Sequence, residues 1–142
     1  MPAWVAWAVQ ETPSLLMAVY FLLTRRCGWR GTLPLLLFAT HYLHRSLIYP
    51  ARMPARANPM PLTEFTMATL FCTFNGWLQG SGHCSTEANL TLFQPMPILG
   101  VVTFACGMAI NIDADNTLLG LRRRSAAATA TYAIPTGDFN IF

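Results

Sequence analysis

Four long apolar stretches, separated by short polar breaks, constrain this sequence more than any other feature. They cover residues 3–24, 32–50, 62–80 and 95–121. Each is near the roughly 20 residues that a helix needs to cross the ~30 Å hydrocarbon core of a membrane. Inside that core a segment must satisfy its own backbone hydrogen bonds, which favours helices. The pattern therefore predicts an all-α integral membrane protein with about four transmembrane helices.

The composition agrees with a lipid environment. The 142 residues are 54% hydrophobic and only 11% charged, whereas soluble domains carry about 25% charged residues. All nine basic residues are arginines and the net charge is only +3, so nucleic acid is not a predicted partner. The four cysteines form no C-x-x-C pair and no Cys/His metal spacing. The length predicts one domain over residues 1–142, with residues 122–142 as a cytosolic loop or tail.

The placement of the arginines predicts an orientation in the membrane. If all four segments cross, the second break and the C-terminal residues share one side. That side carries Arg52, Arg56, Arg122, Arg123 and Arg124, and the opposite side carries Arg25, Arg26 and Arg30. The positive-inside rule places the richer side in the cytosol.

Polar side chains inside these segments are costly in lipid, so they mark candidate functional residues. In the first segment these are Gln10 and Glu11. The alternative is that the helix begins only near Pro13, so that Glu11 lies in its first turn and is favoured by the helix dipole. The sequence leaves both interpretations open.

The second segment carries the run HYLHR. His41, His44 and Arg45 are spaced i, i+3 and i+4, which predicts that they share one helix face. Arg45 and Tyr49 could instead reach the cytosolic interface as basic and aromatic anchors. Because two histidines at this spacing lack a third ligand, we interpret them as packing groups rather than as a metal site.

The third and fourth segments also carry polar groups. Asn75 and Gln79 lie four residues apart and could bind a ligand or simply join helices. Asn111, Asp113 and Asp115 precede three arginines, which suits a ligand that carries phosphate and ribose. The alternative is an interfacial helix end that binds no ligand.

Together these motifs resemble those of one enzyme family. VQETPS, HYLHRSLIYP, FCTFNGWLQG and GMAINIDADNTLLGLRR occur in an order and spacing similar to the steroid 5α-reductases, the 3-oxo-5α-steroid 4-dehydrogenases. TYAIPTGD resembles the family's Y-x-I-P-x-G-G segment, so the resemblance runs from Ala3 to Gly137. It implies a seven-helix integral membrane reductase of the endoplasmic reticulum. Such an enzyme uses NADPH to saturate the Δ4 double bond of a 3-oxo steroid.

The resemblance also implies roles for individual residues. Glu11 and Tyr42 match the catalytic pair that holds the 3-keto oxygen of the substrate. The expected substrate-binding residues are Gln10, Trp7 and Phe74, and the expected NADPH-binding residues are Asn111, Asp115, Arg122, Arg56, Tyr132 and Arg45. Hydride addition to an enone builds negative charge on the carbonyl oxygen. A phenol and a protonated carboxylic acid can stabilise that charge by donating hydrogen bonds.

The sequence also departs from the family pattern at five cofactor-side positions, which are Asp113, Ala114, Leu119, Ala133 and Asp138. Relative to the family it lacks the first helix and the last three, so we expect these 142 residues alone to have little activity. Two other functions stay open. One is reduction of another enone or enoyl lipid, such as a sterol intermediate. The other is a non-catalytic membrane paralogue whose polar residues only join helices.

Overall fold

The computed structural model describes residues 1–25, 27–55, 57–85 and 95–127. Within these ranges every regular element is a helix, which confirms the predicted all-α class. The elements are α1 (Ala3–Thr24), α2 (Trp29–Leu43), a π-helical segment (His44–Ile48), α3 (Tyr49–Ala51), α4 (Leu62–Ser85) and α5 (Pro95–Ala127). Both α4 and α5 continue beyond the ends of their predicted apolar stretches. The first residues of the predicted C-terminal tail are therefore helical.

Helix α1 begins at Ala3 and continues past Pro13. Proline cannot donate to the carbonyl four residues earlier and would break an ordinary exposed helix, but helices in membranes tolerate it. The interpretation that the first helix starts near Pro13 is therefore wrong. Glu11 lies in the middle of α1 and is only 7% exposed.

Helix α4 packs closely against α1 through two glycines. A Cβ atom added at Gly76 would lie 2.8 Å from the Cα atom of Ser14, and one added at Gly80 would overlap the ring of Phe21. Small residues four apart let two helix backbones approach, and this spacing is common between membrane helices. The glycine face of α4 is thus the face that joins it to α1.

Two apolar clusters lie at opposite ends of the helix bundle. The first contains Ala3, Tyr49, Met53 and Leu119, and the second contains Ala18, Phe21 and Leu35. Between them lies a layer of buried polar side chains, which consists of Gln10, Glu11, Ser14, His44 and Asp115. Apolar packing at both ends therefore isolates the polar layer from bulk solvent.

A disulfide joins Cys27, in the connection between α1 and α2, to Cys84 near the end of α4. This marks the disulfide end of the bundle. The opposite end carries Arg52, Arg122 and Arg123, and we call it the arginine end. Since α1 rises about 1.5 Å per residue, the two ends are far enough apart to face opposite sides of a membrane.

Two of the described helices are long and apolar enough to cross a membrane. They are α1 and the Met96–Arg124 part of α5. The first half of α5 exposes large apolar side chains such as Leu99, Val102 and Ile110. An exposed apolar surface of this kind suits contact with lipid.

Candidate functional site

Arg45 lies at the centre of the buried polar layer. Its Nη2 atom is 2.9 Å from Oε1 of Glu11, and its Nη1 atom is 3.3 Å from Oδ1 of Asp115. The guanidinium also stacks over the ring of Trp7, 4.4 Å from the centroid, and 5.5 Å from the centroid of Tyr49. A buried charge needs such partners, because desolvation otherwise outweighs its interactions. Arg45 thus connects α1, the π-helical segment and α5.

The alternative that Arg45 and Tyr49 anchor the protein at an interface is wrong. Tyr49 is 1% exposed and packs edge-on against Trp7, with 5.3 Å between the ring centroids. The Arg45 side chain is 16% exposed. Both side chains lie inside the bundle because they pack against Trp7 of α1, and Arg45 also pairs with Glu11 of the same helix.

A π-helical segment begins within the run of polar side chains that the sequence predicted on one face. The N–H of Tyr49 donates to the carbonyl of His44, five residues earlier. This wider turn differs from the i to i+4 pattern of an α-helix, and such turns are frequent at functional sites. His44 and Arg45 lie beside Asp115, with His44 Nδ1 3.8 Å from Asp115 Oδ2 and Arg45 Nη1 3.3 Å from Asp115 Oδ1, whereas His41 lines a cavity.

A second set of contacts surrounds Tyr42. The amide of Asn75 donates to the Tyr42 hydroxyl oxygen over 3.1 Å. The thiol of Cys72 lies 3.7 Å from Oε2 of Glu11, and the hydroxyl of Ser14 donates to the carbonyl of Cys72 over 2.7 Å. Cys72 and Ser14 thus link the surroundings of Glu11 to those of Tyr42.

An apolar cavity of about 890 Å³ lies between α2, α4 and the first half of α5. Its polar lining residues nearest the buried layer are His41, Tyr42, Asn75 and Asn111. Most of the remaining wall is hydrocarbon, from residues such as Phe104. Pockets of this size and lining suit small apolar ligands that are oriented by a few polar groups.

The arginine end presents several cations. Arg52 donates to Oδ1 of Asn116 over 2.7 Å, Nη1 of Arg122 lies 3.3 Å from the sulfur of Met53, and Arg123 donates to the carbonyl of Arg52 over 3.5 Å. None of these three arginines pairs with a carboxylate in the described ranges. This end therefore has guanidinium groups available for an anionic ligand.

Comparison with known proteins identifies the family. Residues 58–142 match the family model of 3-oxo-5-alpha-steroid 4-dehydrogenase. The chain is 38% identical to 3-oxo-5-alpha-steroid 4-dehydrogenase 1 of Homo sapiens, over 96% of this chain and 54% of the human protein. It is 36% identical to 3-oxo-5-alpha-steroid 4-dehydrogenase 2 of Rattus norvegicus and 34% identical to Steroid 5-alpha-reductase DET2 of Arabidopsis thaliana. These matches cover 96% and 95% of this chain, and 54% of each relative.

The chain belongs to the 3-oxo-5-alpha-steroid 4-dehydrogenase family. The resemblance found in the sequence motifs is thereby confirmed. The chain spans about half the length of the curated relatives it matches.

The structure divides the predicted site residues of this family member between two regions. Tyr42 and Asn111 line the cavity, whereas Glu11, Gln10 and Trp7 lie within or beside the buried polar layer. Oε1 of Gln10 is buried and has no hydrogen-bond partner in the part of the chain that the structure describes.

The other predicted residues are more scattered. Phe74 is 61% exposed and contacts Trp77, so it does not contribute to the cavity wall. Asp115 and Arg45 pair with each other, and Arg122 lies at the arginine end. Arg56 and Tyr132 lie outside the described residues.

Sequence reasoning missed Ser14, Cys72 and the disulfide. Ser14 follows Glu11 by three residues, so helical spacing alone could have placed the two on one face. The cysteines of the disulfide occur in breaks predicted to lie on the same side of the membrane, which was a usable signal for pairing Cys27 with Cys84.

Proposed function

We propose that this chain provides the carbonyl-binding part of a membrane reductase that uses NADPH to saturate the Δ4 double bond of 3-oxo steroids. The observation that carries the proposal is Tyr42, which lines the apolar cavity and whose hydroxyl oxygen accepts a hydrogen bond from Asn75. Because Asn75 donates to the phenolic oxygen, the phenolic hydrogen can be directed at a substrate carbonyl. The names of the relatives support a 3-oxo steroid over another enone or enoyl lipid.

The chemistry requires a donor at the carbonyl oxygen. Hydride addition to the β-carbon of an enone moves negative charge onto that oxygen, and a fixed donor in a dry cavity stabilises the charge. Tyr42 is the proposed first donor and Glu11 the proposed second. In the described geometry the two carboxylate oxygens of Glu11 accept from Arg45 and Cys72. Glu11 therefore donates only in its protonated form, from one oxygen, while the other oxygen can still accept from Arg45.

The residues nearest the arginine end fit a dinucleotide cofactor. Oδ1 of Asn111 and Oδ2 of Asp115 are buried without hydrogen-bond partners among the described residues, so each can accept from a hydroxyl or amide donor of the cofactor. Arg122 is available for a phosphate. When NADPH is bound, it supplies the hydride.

Three further residues complete the proposed cofactor site. Arg56 and Tyr132 remain in it on the family resemblance. Arg45 contributes by fixing Asp115, because its own guanidinium is already engaged by Glu11 and Asp115.

We also propose that α1, the region from α2 through α3, α4 and α5 each cross the membrane of the endoplasmic reticulum as part of a seven-helix bundle. Disulfides persist in oxidising compartments, so the disulfide end is assigned to the lumen. The arginine end is assigned to the cytosol, in agreement with the positive-inside rule. The cofactor would then bind from the cytosolic side.

The proposal is tested in a chimera in which this chain replaces the matching segment of the human relative. We expect the chimera to reduce a 3-oxo-Δ4 steroid with NADPH. Tyr42→Phe should lower kcat/KM by about 10²–10³, the usual effect of removing one donor to a developing oxyanion. The matched control Tyr20→Phe, at an exposed position of α1, should leave kcat/KM nearly unchanged. Equal rates in the two variants would remove Tyr42 from the proposed role.

The isolated chain should turn over little steroid, since it spans about half the length of its relatives. An ordinary rate from the 142 residues alone would contradict this part of the proposal.

A further inference from the structure

His41 is a titratable side chain of the cavity that the proposed function does not use. It precedes Tyr42 in α2, lines the same cavity and is only partly buried. The rings of the two residues are nearly perpendicular, at 88°, with 5.2 Å between their centroids. The imidazole makes no hydrogen bond or ion pair to any residue that the structure describes. Its nitrogens are therefore available to a ligand that lies beside Tyr42.

Other titratable side chains of the cavity wall are less suited to act next to Tyr42. Arg30 lies near the start of α2 and His83 near the end of α4, so both line the part of the cavity toward the disulfide end. Arginine also stays protonated in proteins and cannot pass a proton on. Within the described ranges, His41 is thus the proton-exchanging group that borders the carbonyl end of the cavity together with Tyr42.

The proposed reaction needs a proton that neither carbonyl donor supplies. Saturation of an enone adds a hydride to the β-carbon and a proton to the α-carbon. Tyr42 and Glu11 are assigned to the carbonyl oxygen, so the α-carbon, C4 of the steroid, needs another donor. C4 is bonded to the carbonyl carbon, so this donor must lie beside the residue that holds the oxygen. Histidine is the commonest general acid in enzymes, because imidazole can both give and take a proton near neutral pH.

We infer that His41 is the acid that protonates C4, the α-carbon of the 3-oxo steroid. The inference rests on the proposed function, in which Tyr42 holds the 3-oxo oxygen, and it adds a further catalytic residue to that reaction. As the enolate collapses, its electron pair forms the new C4–H bond and the carbonyl double bond is restored. The imidazolium of His41 loses the proton that C4 gains, and the neutral imidazole then takes a proton from water.

The reverse of this step can be observed without a cofactor. When a saturated 3-oxo-5α steroid occupies the cavity, neutral His41 removes a proton from C4. The C–H electron pair then forms the C3–C4 double bond of the enolate, and the Tyr42 hydroxyl stabilises the negative oxygen. In D₂O the imidazole exchanges its proton for a deuteron and returns the deuteron to C4. Because one imidazole reaches C4 from one side, only one of the two C4 hydrogens should exchange.

The test incubates this chain in lipid nanodiscs with a saturated 3-oxo-5α steroid in D₂O. Mass spectrometry counts the deuterium in the recovered steroid, and NMR assigns it to a carbon. We expect a single deuterium at C4, introduced faster than in nanodiscs without protein. Uncatalysed enolisation labels C2 as well, on the other side of the carbonyl. An exchange rate equal to that of empty nanodiscs, or equal labelling of C2 and C4, would overturn the inference.

Variants assign the exchange to His41. His41→Gln and His41→Asn keep a polar side chain but cannot exchange a proton in this way, so each should slow labelling at C4 by about 10²-fold or more, the usual effect of losing a general acid or base. The matched control is His83→Gln, which removes an imidazole from the same cavity near the disulfide end and should leave the rate unchanged. Undiminished labelling at C4 in a His41 variant would contradict the assignment.

A binding measurement separates this inference from the proposed function. The infrared shift of the steroid carbonyl on binding reports the hydrogen bond from Tyr42 and also shows whether a His41 variant is folded. If the wild-type chain shifts the carbonyl but does not accelerate exchange at C4, the role of His41 fails and the proposed function stands. If the wild-type chain does not shift the carbonyl, the proposed function fails and the role of His41 fails with it.

Discussion

At the scale of single residues, Arg45 is the group on which the buried polar layer depends. It holds Glu11, which is 34 positions earlier in the chain, and Asp115, which is 70 positions later. Local spacing predicted that the HYLHR run is a polar helix face, but it carries no information about such distant partners. For the same reason, the family resemblance pointed to Glu11 and Tyr42 without indicating that both oxygens of Glu11 already accept hydrogen bonds.

Loss of Arg45 should strongly destabilise the protein. Arg45→Leu leaves two buried carboxyl groups without their cation, and breaking a buried pair typically costs about 3–5 kcal/mol. The free energy of unfolding, measured by denaturing-detergent titration in mixed micelles, should fall by that amount. Arg124→Leu, at an exposed position of α5, should change it by no more than about 0.5 kcal/mol.

A rescue experiment distinguishes charge from packing. Adding Glu11→Gln and Asp115→Asn to the Arg45→Leu variant removes both uncompensated acids and should restore part of the lost stability. If Arg45→Leu costs no more than Arg124→Leu, the guanidinium does not hold the layer together.

At the scale of helices, α4 shows how two faces of one element serve different purposes. From the sequence, Asn75 and Gln79 could either bind a ligand or join helices. The glycine face formed by Gly76 and Gly80 joins α4 to α1. The neighbouring face, which carries Asn75 and Gln79, lines the cavity. Asn75 does both, since it lines the cavity and bonds to Tyr42 of α2.

Close packing at the glycine face predicts that a larger residue at Gly80 lowers the stability of the protein. Gly80→Ala places a methyl group against the ring of Phe21, and overpacking of this kind costs about 1–3 kcal/mol. The matched control is Gly107→Ala in α5, where an added Cβ meets no atom within 4 Å. That change should be neutral or stabilising, because alanine favours the helix over glycine. Thermal unfolding of both variants in the same detergent checks this, and equal destabilisation would contradict the packing account.

At the scale of the whole molecule, the sequence predicted where most helices begin, but not how far α4 extends or that a π-helical segment follows α2. Helices begin at Ala3, Leu62 and Pro95, where the apolar stretches start. The extension of α4 to Ser85 could not be read from composition, because its final residues are polar and resemble a loop. The π-helical segment also escaped prediction, since the i, i+3 and i+4 rule assumes regular α-helical geometry.

The proposed orientation is tested with the free cysteines replaced, in a Cys72→Ala, Cys106→Ser background. After mild reduction of the Cys27–Cys84 disulfide in sealed microsomes, a membrane-impermeant maleimide added outside should not label the chain. Labelling should appear once the membrane is permeabilised, because the disulfide end is assigned to the lumen. Labelling of sealed microsomes would reverse the assignment of the two ends.

The central claim is that Tyr42 donates a hydrogen bond to the 3-oxo group of a steroid in the cavity. Infrared difference spectroscopy of a steroid labelled with ¹³C at the carbonyl measures this bond directly, without turnover or cofactor. The wild-type chain should shift the carbonyl stretch to lower frequency, Tyr20→Phe should preserve that shift, and Tyr42→Phe should abolish most of it. An identical carbonyl frequency in the wild-type chain and Tyr42→Phe would contradict the account.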